Sequence, residues 1–125
     1  LRGAKVFVMG FAFKGKPETS DMRDSPTLDL IEILQKEKAI IYGHDPLVHK
    51  EEIVNLGVKW ESIKNGFKNA DVVIIMINHV MYEEMDLVLL ANLMKKPAVL
   101  LDGWHLSNKE KTLEASDIRY LCVGR

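Results

Sequence analysis

Residues 72–77 read Val-Val-Ile-Ile-Met-Ile, an unbroken apolar run and the strongest strand signal in the chain. A strand with one wet face alternates apolar and polar side chains. A run without alternation is buried on both faces, as happens in the middle of a parallel sheet with helices above and below it. The run is also far short of the ~20 residues that a membrane-spanning helix needs. Working outward, the same character returns at intervals. Ala4 to Gly10 (AKVFVMG), Ala39 to Gly43, Val58 to Trp60, Ala98 to Asp102 and Ile118 to Val123 all read as strands, several of them β-branched. Helical patterns fill the gaps. Ser25-Pro26 reads as an N-cap with proline in the first turn, followed by a stripe at Leu28, Ile31 and Leu34 that should end near Lys36. His49 to Leu56 ends at Gly57, Ile63 and Phe67 mark an amphipathic stretch, Tyr82 to Lys95 is helical by composition, and Ser107 caps a helix running to Ala115. Alternating strands and helices predict a doubly wound α/β domain, a mainly parallel sheet flanked by helices in three layers, with right-handed crossovers. In such a domain ligands bind at the carboxyl ends of the strands.

Composition agrees and narrows the function. The chain has 125 residues, 17 Lys+Arg against 18 Asp+Glu and 47% hydrophobic residues, the profile of one globular domain able to bury a core without staples. Its net charge of −1, with both signs interleaved, argues against nucleic acid as a partner. Neither a spanning segment nor a signal peptide is seen, so no membrane role is expected. The single cysteine, Cys122, excludes an intrachain disulfide and fits a reducing, cytoplasmic compartment. It sits in an apolar final strand and reads as a buried, inert thiol. The start at Leu1, without Met, points to an excised piece of a longer protein.

Three strand ends carry polar residues of interest: 10–24, His44-Asp45-Pro46 and Asp102-Gly103-Trp104-His105. The first, GFAFKGKPETSDMRDSP, is longer than the two to six residues usual in an α/β unit, and long loops are often functional. It gathers Lys14, Lys16 and Arg23 ahead of a helix N-terminus, whose free N–H groups favour anions. A phosphate site is one reading; Arg23 pairing with Asp21 or Asp24, beside solvated lysines, is the other. Two phosphate motifs nearly match. Gly10 to Lys16 fits G-x-x-x-x-G-K, but Pro17 replaces the magnesium-binding hydroxyl and removes an N–H, and the helix starts later than a P-loop requires. The dinucleotide pattern G-x-G-x-x-G is absent, since Gly10 is followed by Phe11 and Ala12; Asp45 stands where a ribose-binding acid would, although Asp-Pro more often marks a turn. His44, His79 and His105 lack ligand spacing or accompanying carboxylates, so no metal site is expected.

GFAFK (10–14), DMRDSP (21–26), YGHDP (42–46) and LLDGWH (100–105) resemble, in order and spacing, the carboxy-terminal UDP-binding domain of the nucleotide-sugar 6-dehydrogenases, the UDP-glucose/GDP-mannose dehydrogenase family. The likeness runs from the first strand to the terminal VGR. It implies a Rossmann-like fold and a 1–125 UDP-binding domain that is a C-terminal fragment of an enzyme. That enzyme oxidises the C6 hydroxyl of a UDP-hexose or UDP-N-acetylhexosamine with NAD and makes uronic acids for polysaccharides. The family's nucleophilic cysteine and NAD-binding domain lie upstream, so the resemblance implies no catalytic residue here and no activity for the fragment alone. Phe13 and Lys14 match the family pair that contacts the nucleotide sugar, and Arg23 matches an arginine reaching the NAD side of the cleft. Trp104 replaces a residue that is often arginine in relatives; an indole there stacks on a uracil or sugar face, or packs in the core. Lys14 and Arg23 stand two positions further apart than is usual. The family also implies a homodimer or higher homo-oligomer. A free-standing nucleotide-binding or regulatory module of the same fold is the alternative.

Overall fold

The computed structural model describes residues 1–122. Six strands form one parallel sheet: β1 Lys5–Met9, β2 Ile40–His44, β3 Lys59–Trp60, β4 Val72–Ile75, β5 Ala98–Asp102 and β6 Ile118–Cys122. Their order is β3-β2-β1-β4-β5-β6, so the chain winds outward from β1 in one direction and then from β4 in the other. The switch point falls between β1 and β4, where Val6 stands beside Val72 and Met9 beside Ile75.

Successive side chains on these strands point to opposite faces. Phe7 and Met9 of β1, Val73 and Ile75 of β4, and Leu100 of β5 enter one core. It is covered by α3 (Ile63–Phe67), α4 (Val80–Glu84), α5 (Leu87–Ala91) and α6 (Glu110–Ala115). Val6, Val8, Ile41 and Ile74 enter the other, under α1 (Pro26–Lys36) and α2 (Lys50–Val54), which contribute Ile31, Leu34 and Ile53. Gly66 in α3 lets the first layer close. A Cβ there would lie 2.2 Å from the Phe7 ring, inside any permissible contact.

The expected N-cap and proline of α1 are present, with Ser25 Oγ accepting from Thr27 N. Four expectations need correction. The stretch 82–95 is two helices, because Met85 is extended and the Asp86 side chain starts α5 afresh by accepting from Leu89 N. β4 ends at Ile75; Met76 N still donates to Met9 O of β1 at 2.8 Å, and the chain bends at Ile77. Ser107 does not cap α6; its hydroxyl accepts from Lys109 N in a bend, and the helix begins at Glu110. Cys122 is half-buried rather than buried, as the last residue of β6 on the sheet edge. The terminal VGR lies outside the described residues. No helix among the described residues is long and apolar enough to cross a membrane.

Candidate functional site

At the carboxyl ends of β1, β2 and β4 the chain forms one polar cluster under the 10–25 loop. It centres on Asp45, which follows β2 and is buried. One carboxylate oxygen accepts from Phe11 N at 2.8 Å and Ala12 N at 2.9 Å, fixing the start of the loop. The other accepts from Leu47 N and Val48 N, at 2.8 and 3.0 Å, closing the turn that Asp45-Pro46 announces. His79, fully buried after β4, places Nε2 at 3.0 Å from Asp45 and Nδ1 at 3.0 Å from Glu18 in the loop. Burial opposes ionisation of Asp45, but the hydrogen bond to His79 and those from Leu47, Phe11 and Val48 outweigh it and hold the carboxyl at about 2. For His79, burial disfavours the charge, yet the hydrogen bond and charge of Asp45, then those of Glu18, raise its pKa above the ordinary value.

His44, on β2, completes the floor. The Tyr82 hydroxyl donates to the His44 carbonyl at 3.0 Å, which leaves its oxygen to accept from His44 Nδ1 at 2.9 Å. Burial pushes the His44 pKa down, against Asp45 and together with His79, so this ring is neutral with its proton on Nδ1. The start of α1 is fastened to the same end of the sheet: Ser25 Oγ donates to Ala12 O, and Thr27 Oγ1 donates to Gly10 O at 2.7 Å.

The expected ligand residues stand on this base. Phe13 is 47% exposed and, with Asp21, Arg23 and Asp24, lines a shallow cavity of about 220 Å³. Arg23 forks onto Asp21, Nη2 to Oδ2 at 2.8 Å and Nε to Oδ1 at 3.1 Å, while its side chain stays 88% exposed. That pairing is the alternative weighed for Arg23, and it holds the Asp21 carboxyl at about 2. Lys14 is exposed and joins no ion pair among the described residues. Lys16 is committed to Glu83 of α4 at 2.9 Å, and α1 begins only at Pro26, so Gly10 to Lys16 does not wrap a phosphate as a P-loop does. Trp104 sits at the end of β5, 49% exposed. Its Nε1 donates to Met76 O at 2.8 Å, and its backbone N–H donates to Asp102 at 2.9 Å. The structure thus brings Phe13 and Arg23 to one cavity and puts Trp104 just past the end of β5, two strands away from β1 across β4. The loop and the indole are anchored to one short segment after β4: Gly15 lies against Asn78, and Trp104 bonds Met76.

Glu18 and His79 were not foreseen as partners. They are 61 positions apart, and no local pattern links them. Asp45 carried a visible signal in its place after a strand and before proline, but a turn explains that signal equally well.

Residues 7–109 match the family model described as the UDP-glucose/GDP-mannose dehydrogenase family, UDP binding domain. The chain is 32% identical over its whole length to the UDP-glucose 6-dehydrogenase TuaD of Bacillus subtilis (strain 168), spanning 27% of that protein. It is 30% identical to a UDP-glucose 6-dehydrogenase of Rhizobium meliloti (strain 1021), again over its whole length and 28% of the relative. Among solved structures, a UDP-glucose dehydrogenase from Pyrobaculum islandicum superposes with a TM-score of 0.70 at 27% identity, covering 99% of this chain and 26% of that one. A UDP-D-ManNAc dehydrogenase from Pyrococcus horikoshii reaches 0.76 at 22% identity, covering 98% and 26%, and shows the shared fold. The chain therefore spans about a quarter of the length of these relatives. With the sheet order, the switch-point loop and the match over 7–109 in agreement, the chain belongs to the UDP-glucose/GDP-mannose dehydrogenase family, as its UDP binding domain.

Proposed function

We propose that this chain is the nucleotide-sugar-binding part of an NAD-dependent dehydrogenase that oxidises the C6 hydroxyl of a UDP-hexose or UDP-N-acetylhexosamine to a uronic acid. The observation that carries this reading is the uncommitted Lys14, next to the exposed ring of Phe13, on a loop held down at the switch point of a family UDP binding domain. The Lys14 ammonium pairs with a pyrophosphate or sugar oxygen, and Phe13 supplies an apolar wall. The Trp104 indole, fixed through Nε1, offers its face to the uracil or the sugar. Arg23 keeps a charge that reaches outward even while paired with Asp21.

The chain's own first turn does not fit a dinucleotide. A dinucleotide pyrophosphate needs free backbone N–H groups there, whereas Phe11 N and Ala12 N are taken by Asp45 and both residues are buried. On this reading NAD, which accepts the hydride, is held by the remainder of a longer polypeptide, with Arg23 as this domain's contribution. No nucleophile is assigned to Cys122, which lies at the end of edge strand β6. The domain therefore binds and orients, and alone it should not turn over substrate.

An NMR titration of the chain tests the reading. UDP should shift amides of 11–24 and 101–105 saturably, with ATP and magnesium as the contrast. Silence with UDP sinks the proposal, and shifts at 10–16 with ATP and magnesium alone would favour phosphoryl transfer instead.

A further inference from the structure

A neutral imidazole has one N–H and one lone pair, whereas an ionised carboxylate only accepts. His79 has a carboxylate oxygen 3.0 Å from each ring nitrogen, Asp45 on one side and Glu18 on the other. Both contacts are hydrogen bonds only if both nitrogens carry protons, so the buried ring is an imidazolium between two anions. The two anions are not equally held. Asp45 also accepts from four backbone N–H groups, but the same oxygen of Glu18 has only Val80 N besides, at 3.3 Å. Loss of a proton from the ring therefore releases Glu18, which is half-exposed on a loop, and leaves Asp45 in place.

Glu18 is one end of a segment whose other end is tied to Asp45 through Phe11 and Ala12. Phe13 and Lys14 lie between the two ties. Gly15 and Lys16 help the loop lie down. A Cβ on Gly15 would stand 2.5 Å from Asn78 Oδ1, so only glycine allows the approach, and Lys16 reaches Glu83. We propose that Glu18 and His79 are positioning residues: the doubly donating imidazole clips the β1–α1 loop to the ends of β2 and β4 and so holds Phe13 and Lys14 in place for the nucleotide sugar. This role rests on the nucleotide-sugar reading above. A loop fixed at both flanks loses less freedom when ligand binds, which is what preorganisation contributes to affinity.

The charged and titratable groups around the ring are Glu18 from the loop, Asp45 and His44 from the end of β2, and Tyr82 from α4, with the Lys16–Glu83 pair at the rim. Tyr82 is un-ionised, its pKa driven well up by burial, and His44 is neutral, so the two carboxylates decide the state of the ring.

The test uses the 125-residue chain and UDP-glucose, whose pyrophosphate diester carries no proton to lose near neutral pH. Long-range proton–nitrogen spectra should show both His79 ring nitrogens protonated at pH 7. Glu18→Ala should speed amide exchange at 13–16 and weaken UDP-glucose about tenfold, the loss of one charge-assisted hydrogen bond. Glu18→Gln, whose amide oxygen accepts from the imidazolium and whose NH₂ can donate to the neutral ring, should bind normally. In a Lys14→Ala background, Glu18→Ala should cost clearly less, because part of its effect passes through Lys14. One protonated ring nitrogen at pH 7, unchanged affinity in Glu18→Ala, or an undiminished cost in the Lys14→Ala background each overturns the proposal. If the clip passes its spectroscopic and exchange tests but the parent chain ignores UDP-glucose, the nucleotide reading has failed and takes the positioning role with it. If the parent binds and Glu18→Ala is silent, the positioning role alone falls.

Discussion

Asp45→Asn is the sharpest test of the buried cluster, because the substitution preserves shape and removes only charge and one acceptor. The fall of the carboxyl from its ordinary 3.8 to about 2 is equivalent to about 2.5 kcal/mol of preference for the ionised form. The amide adds a second cost. Whichever way it turns, its NH₂ faces donors: Leu47 N and Val48 N on one side, Phe11 N, Ala12 N and His79 on the other. Each buried donor left without an acceptor costs about 1–3 kcal/mol. The overlap of these two effects puts the loss at about 3–5 kcal/mol, a large share of the roughly 5–15 that holds a domain together. With a urea slope of about 1.5 kcal/mol/M, the unfolding midpoint at pH 7 should drop by about 2–3 M, read by circular dichroism and tryptophan fluorescence. The sign in acid follows from the depressed pKa. The stabilisation is present above 3.8 and is lost as pH falls through about 2, so parent and variant should converge there. A loss under about 1 kcal/mol at pH 7, or a gap that persists unchanged at pH 2, would refute the account. Asp21→Asn is the control. Its carboxyl also sits at about 2, but through an exposed bond to Arg23, and the urea midpoint should not move.

Three further outcomes are expected. Gly66→Ala drives a methyl into the Phe7 ring and should cost about 1–3 kcal/mol, lowering the calorimetric Tm by about 3–10 °C; an unchanged Tm would mean that α3 slides freely over the sheet. On the proposed reading, Lys14→Ala weakens UDP-glucose about tenfold at an unchanged urea midpoint, whereas Lys16→Ala, already paired with Glu83, does so by less; isothermal calorimetry with the order reversed would assign the anion contact to Lys16. Trp104→Phe keeps an aromatic face but gives up the bond to Met76 O, so it should retain most of the UDP affinity that Trp104→Ala loses, and equal binding by both would remove Trp104 from the site.

The fold was legible because its signals are local. Val72 to Ile75 has no polar residue to spare for solvent, and Ser25-Pro26 starts α1 by a cap whose geometry needs only its neighbours. The split of 82–95 was missed because Leu87 to Ala91 continues the apolar composition, while the break depends on a single Asp86 side chain turning back to Leu89 N. The site was legible in outline for a similar reason: long-loop cations and an exposed aromatic at a strand end are visible in one stretch. Its support was not. Glu18, Asp45 and His79 come from three loops, and each alone reads as a solvated acid, a turn or a core histidine. Only the pairing of β2 and β4 with β1 brings them within 3.0 Å.

The winding order has a consequence for synthesis. Glu18, Asp45 and His79, and the strands β1, β2 and β4 that bring them together, lie in the first 79 positions, so these three side chains can meet before β5 and β6 are made. During elongation at about 5–20 residues per second, β4 is the exposed rim of a half-built sheet, with Val73 and Ile75 not yet covered by α5 and α6. A stall between β4 and β5 therefore presents the 10–25 loop beside a bare apolar edge, and that nascent intermediate is where a chaperone would have the most to shield.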